Sequence, residues 1–109
     1  GATLLAGGLG KPAMIEDGDD DGSDGYYVRP TIFANCTPNM TVWREEIFGP
    51  VLCMTPFGTE EEAIRLANDS PYGLTHYAHT RDRERRMRLA RRLQSGMVVM
   101  NGVGLAGSA

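Results

Sequence analysis

The chain has 109 residues, enough for one compact domain and short for two. Hydrophobic residues make up 41% and charged residues 23%, as in ordinary globular proteins, and no apolar run reaches the length of a membrane span. The net charge of −3 hides a segregation, with six of the 14 acids in Glu16–Asp24 and seven of the 11 basic residues in Arg81–Arg92, so the balance lends no support to a nucleic-acid or membrane partner.

Two cysteines, Cys36 and Cys53, are too few for a secreted disulfide scaffold and fit a reducing, cytoplasmic setting. The start on Gly1, with no basic-then-apolar leader behind it, is read as that of a processed or partial chain.

In chain order, Thr3–Ala6 reads as a short strand closed by Gly7-Gly8. Residues 16–25 form an acidic, glycine-rich surface loop with little to bury. Tyr26–Ala34 is aromatic and β-branched and should be extended, at an edge or irregular around Pro30. Asn35–Thr41 is turn chemistry. Val51–Thr55 is a near-continuous apolar run, as in a strand covered on both faces.

Thr59 followed by Glu62 predicts a capping box, with the Glu62 carboxylate reaching back to the Thr59 amide. The helix it opens carries Ala63, Ile64, Leu66 and Ala67 as its apolar stripe and stops before Pro71. Leu74–His79 is the next strand. A second helix starts near Thr80 or Asp82 and runs to about Gln94, with Met87, Leu89, Ala90 and Leu93 inward and Asp82–Arg86 and Glu84–Arg88 paired outside. Met97–Met100 is a last apolar strand after Gly96, and residues 101–109 are a loop-like tail. Strand, helix, strand, helix, strand from residue 47 predicts a three-layer α/β fold, a mostly parallel sheet with crossover helices.

Several motifs are weaker than they look. Gly102, Gly104 and Gly107 spell G-x-G-x-x-G after a strand, but no helix follows to receive a pyrophosphate. Asp17–Gly22 opens like a calcium loop, yet its twelfth position is Val28 where a bidentate Glu is needed, and no helix precedes it. The arginines of 81–92 lack aromatic stacking partners and read as a solvated face. Cys36 falls in a turn and Cys53 in a buried-type strand, neither near a His in sequence, and Cys53 reads as an inert core thiol. His76 and His79 fall on opposite faces of a strand, a poor arrangement for one metal, so no metal ligands are assigned. Glu45 and Glu46 also point to opposite sides if extended. Read alone they are surface charges, although one of them could face a cleft.

The stretch Arg44-Glu45-Glu46-Ile47-Phe48-Gly49-Pro50-Val51 closely resembles the E-E-I-F-G-P-V segment of the aldehyde dehydrogenase superfamily. Gly25–Phe33 resembles the family's G-Y-F-V-x-P-T-I-F strand, Glu61–Ile64 and Ala67–Leu74 its next helix and turn, and Ser95–Asn101 its G-x-V-x-x-N strand. The resemblance is collinear over nearly the whole chain, and implies that residues 1–109 are a C-terminal segment of the catalytic domain.

What the resemblance implies is specific. Glu46 matches the carboxylate that accepts both hydroxyls of the nicotinamide ribose, and Phe48 the ring that packs beside the nicotinamide of NAD or NADP. Gly49 and Pro50 would fix the backbone so that both side chains reach the cofactor. Val103 and Leu105 match a variable loop at the substrate entrance. The family oxidises an aldehyde to a carboxylic acid through a Cys thiohemiacetal and thioester, with a Glu-activated water. Its nucleophile, base and main dinucleotide-binding domain lie N-terminal to Gly1 in the family pattern, so no catalytic residue is assigned here and the chain alone is expected to be inactive. The implied partners are an aldehyde substrate, the remainder of the parent enzyme and, at full length, further copies of it. Two other readings are a non-catalytic structural or interaction module and a calcium-binding module through the 17–28 loop.

Overall fold

Local chemistry sets most of the element ends, and the computed structural model of the chain describes residues 1–12 and 27–102. The acidic loop at 16–25, the ligand positions of a calcium loop at 17–22, and Val103, Gly104, Leu105 and Gly107 lie outside the described residues. The chain divides into two compact units, Gly1–Pro56 and Phe57–Ala109.

The first unit holds strand β1 (Thr3–Ala6), strand β2 (Thr31–Ala34), a single-turn helix α1 (Thr41–Arg44) and strand β3 (Val51–Cys53). Its sheet has the order β1-β2-β3. β1 runs antiparallel to β2, with an irregularity between Leu4 and Ala6, and β2 runs parallel to β3 with Phe33 opposite Cys53. The extended segment expected from Tyr26 joins the ladder only at Thr31, because Pro30 has no N–H to give. α1 was not anticipated. Its N-cap residue, Met40, lies in the stretch read as a turn and makes no side-chain cap bond.

Gly7 closes β1 at φ +79°, where an added Cβ would lie 2.1 Å from the Pro30 carbonyl oxygen, so glycine is required there. Buried Thr31 answers the same turn: its hydroxyl accepts from the Gly8 amide at 3.0 Å and donates to the Arg29 carbonyl at 2.9 Å. β3 departs from the expectation of cover on both faces. Val51, Cys53 and Thr55 are half-buried while Leu52 and Met54 are exposed, a two-residue alternation in which the described residues cover one face only.

The second unit is a parallel pair, β4 (Thr75–Ala78) and β5 (Met97–Met100), with helices α2 (Glu60–Asn68) and α3 (Arg83–Arg92). α3 makes the crossover between the two strands, and Ile64, Val99 and Met100 are the buried core. The Thr59 hydroxyl accepts the Glu62 amide at 3.1 Å, as the capping box requires, but the Glu62 carboxylate takes the Gly58 amide at 2.8 Å rather than that of Thr59. Asp82 caps α3 by accepting from the Arg85 amide at 3.0 Å.

The expected pairing along α3 gives way to pairing between helices. Glu60 takes Arg85 at 3.0 Å and Arg88 at 2.8 Å, and Glu61 takes Arg92. Asp82 is engaged as the cap, and Glu84 acts on Arg88 only through a weaker coulombic attraction. The inward stripe of α3 is also narrower than expected. Leu89 and Leu93 are half-buried, whereas Met87 and Ala90 are exposed.

The α/β class is as expected, and two of the three ladders are parallel. No helix among the described residues is long and apolar enough to cross a membrane.

Candidate functional site

The loop between α1 and β3 is where the chain presents chemistry outward. The Glu45 amide closes α1 on the Thr41 carbonyl, and Glu45 itself is extended (φ −108°, ψ 142°). From Glu45 to Pro50 every residue is exposed, and the Phe48 ring is 97% exposed. Two tight backbone bonds shape the return: Gly49 N–H to Ile47 O at 2.7 Å and Val51 N–H to Gly49 O at 2.8 Å. Gly49 itself meets no crowding, since an added Cβ would find nothing within 4 Å. The space around Gly49 would therefore admit a side chain within this unit.

Glu46 offers a carboxylate and Phe48, two residues on, an aromatic face. Burying a phenylalanine side chain is worth roughly 1.5–3 kcal/mol, so leaving one extended into solvent forgoes a large local gain. The roots of the loop are fixed. The Trp43 indole N–H donates to the Thr55 hydroxyl at 3.1 Å, the Cys53 thiol donates to the Val42 carbonyl at 3.2 Å, and the Arg44 guanidinium donates to the Pro38 carbonyl.

Sequence reasoning missed this framing, because Trp43 and Thr55 belong to no catalytic pattern. The available signal was a donor-only indole shortly before the motif and a hydroxyl shortly after it.

Cys53 lies in β3, as the sequence suggests, but it is the less buried of the two thiols. Cys36 is the fully buried one, at 1% exposure, and its thiol faces the Phe33 carbonyl at 3.6 Å. The Cys36 amide also bonds to the Met54 carbonyl at 3.1 Å, so the residue read as a turn thiol lies beside β3. Cys53 is half-buried; burial, followed by the charge and hydrogen bond of neighbouring Cys36, pushes its thiol above the usual range. A raised thiol holds less thiolate, the opposite of an activated nucleophile.

His76 is half-buried in β4, with Nε2 3.1 Å from the Ala67 carbonyl oxygen and Nδ1 buried without a partner among the described residues. His79 is exposed just past the strand end. Among the described residues no group of three or more His, Cys, Asp or Glu could hold a metal ion. Gly102, the first glycine of the tail motif, has φ +76° behind Asn101 at φ 56°, which gives it the role of a turn residue. The Asn101 side chain brackets Thr80, accepting from its amide at 2.9 Å and donating to its carbonyl at 3.1 Å.

Residues 1–108 match the model of the aldehyde dehydrogenase family. Over 105 residues the chain is 47% identical to the 3-succinoylsemialdehyde-pyridine dehydrogenase of a Pseudomonas species, covering 96% of this chain and 20% of that protein. Its fold matches the crystal structure of an aldehyde dehydrogenase from Bartonella henselae with TM-score 0.86 at 51% identity, over 98% of this chain and 21% of that one. It matches a Mycobacterium tuberculosis aldehyde dehydrogenase complexed with NAD+ with TM-score 0.84 at 36% identity, over 100% of this chain and 21% of that one. The chain thus spans about a fifth of the length of the relatives it matches. On the family match over residues 1–108 and these likenesses, the chain belongs to the aldehyde dehydrogenase family.

Proposed function

We propose that the chain is a C-terminal segment of the catalytic domain of an enzyme that oxidises an aldehyde to a carboxylic acid with NAD+ or NADP+, and that it supplies one wall of the nicotinamide pocket. The observation that carries this reading is the exposed loop with Glu46 and Phe48, anchored at both roots. The residues fit the cofactor chemically: a carboxylate has two oxygens for the two hydroxyls of a vicinal diol, and an exposed ring has a flat apolar face for a nicotinamide. The bound cofactor supplies the acceptor for the hydride that leaves the substrate.

In this reading Glu46 binds the nicotinamide ribose, Phe48 orients the ring beside it, and no residue of the chain attacks the aldehyde. The raised thiol of Cys53 and the full burial of Cys36 support the last point. Val103 and Leu105 are assigned to the substrate entrance by family likeness alone. Two free thiols also support a reducing compartment such as the cytoplasm. The apolar groups exposed on β1, β3 and the loop, among them Leu4, Leu52 and Phe48, favour a segment that docks against the rest of a larger protein.

Two assays test the proposal. The purified chain should give no NAD(P)H with any aldehyde, whereas the full-length enzyme should. NAD(P)H production by the chain alone would overturn it, as would a full-length protein inactive on aldehydes with both cofactors.

A further inference from the structure

The loop that carries Glu46 and Phe48 is exposed throughout, so the core of its unit does not hold it directly. Its orientation depends on its two roots, α1 and β3. α1 has a single turn and no side-chain cap, and such a turn does not hold itself in water. Some tertiary contact must fix it.

The Cys53 thiol is a weak donor, and the Arg44 guanidinium reaches back to the Pro38 carbonyl on the near side of α1. The Trp43 indole is different. Its N–H can only donate, its partner is the half-buried Thr55 hydroxyl at 3.1 Å, and that hydroxyl stands just past the end of β3, the strand that leaves the loop. The bond therefore ties the entry of the loop to its exit. Arg44 lies over the same indole, 4.9 Å from the ring centroid, and restrains it further.

We propose that Trp43 and Thr55 are positioning residues that set the direction of Glu46 and Phe48 by locking α1 to the end of β3. This rests on the reading of Glu46 and Phe48 as cofactor contacts. A carboxylate that must accept two hydroxyls together is sensitive to its approach angle, so loosening its root weakens cofactor binding without touching the cofactor.

The test uses the full-length enzyme and compares Thr55→Val, Thr55→Ser and Trp43→Phe with Glu46→Gln. KM for NAD+ and NADP+, KM for the aldehyde, kcat and the thermal midpoint are measured for each. Thr55→Val and Trp43→Phe should each raise the cofactor KM about fivefold, the effect of one lost hydrogen bond. The aldehyde KM, and kcat at saturating cofactor, should stay within about twofold. Thr55→Ser keeps the hydroxyl and should restore the wild-type KM, and the double variant should be no worse than either single one.

A lowered thermal midpoint with an unchanged cofactor KM would overturn the proposal, since a purely structural bond gives that result. A parallel rise in aldehyde KM would do the same. Should Glu46→Gln raise the cofactor KM while Thr55→Val does not, the positioning role alone fails. Should Glu46→Gln change nothing, the cofactor reading fails and takes the positioning role with it.

Discussion

Thr31 shows what one buried hydroxyl does in this fold. It serves two backbone groups at once, the Gly8 amide and the Arg29 carbonyl, in a turn that only glycine at position 7 can make. Thr31→Val keeps the shape and removes both bonds, and should destabilise the protein by about 1–3 kcal/mol in urea unfolding. Gly7→Ala should be at least as damaging, because its Cβ would overlap the Pro30 carbonyl at a φ that side chains avoid. Asn101 plays a comparable part at the end of β5, where its amide brackets both backbone groups of Thr80. Asn101→Ala should lower stability by about 1–2 kcal/mol on the same measurement. The sequence marked Gly7 as a turn and Asn101 as part of a family motif, but not their partners, which lie far along the chain.

Among the elements, those with local chemistry were legible. α2 and α3 begin at Thr59 and Asp82 because a side-chain oxygen meets the amide three residues on, a signal contained in four consecutive residues. α1 has no such signal; its residues bond to Cys53 of β3 and to Thr55 just past that strand. The pairing of α3 is not legible in the sequence for a related reason. Spacing along one helix suggests partners four residues apart, but Glu60 and Glu61 bring full carboxylates to Arg85, Arg88 and Arg92 from another element.

That clamp has a pH signature. The Arg88 hydrogen bond, with help from Arg85, holds the Glu60 carboxyl down to about 2, against an ordinary value of 4.5. A carboxyl lowered on folding adds stability above its unfolded value and loses it as pH falls through the folded one. The Glu60 contribution should therefore be intact above pH 4.5 and fade between there and about pH 2. Thermal midpoints across that range should fall more steeply for the wild type than for Glu60→Gln. Parallel curves would mean that the clamp carries no net stabilisation.

At the scale of the molecule, periodicity and punctuation conveyed the α/β class and the parallel pairing of β4 with β5. They did not convey which faces are covered. Leu52 and Met54 read as core because they are apolar, and they are exposed because the described residues of their unit pack on the other face of β3. The candidate site rests on a resemblance alone: nothing in the charge or spacing of Glu45 and Glu46 separates a ribose acceptor from a surface acid. The structure adds that the motif loop projects outward, that Phe48 is uncovered, and that the loop is tied at both ends.

On the proposed reading this segment grips the nicotinamide ribose through Glu46, and the most direct measurement is the cofactor dissociation constant of the full-length enzyme with Glu46→Gln. Replacing the charged acceptor should weaken NAD+ or NADP+ binding about tenfold or more, as expected for loss of a hydrogen bond to a charged group. A dissociation constant equal to that of the wild type would contradict the account.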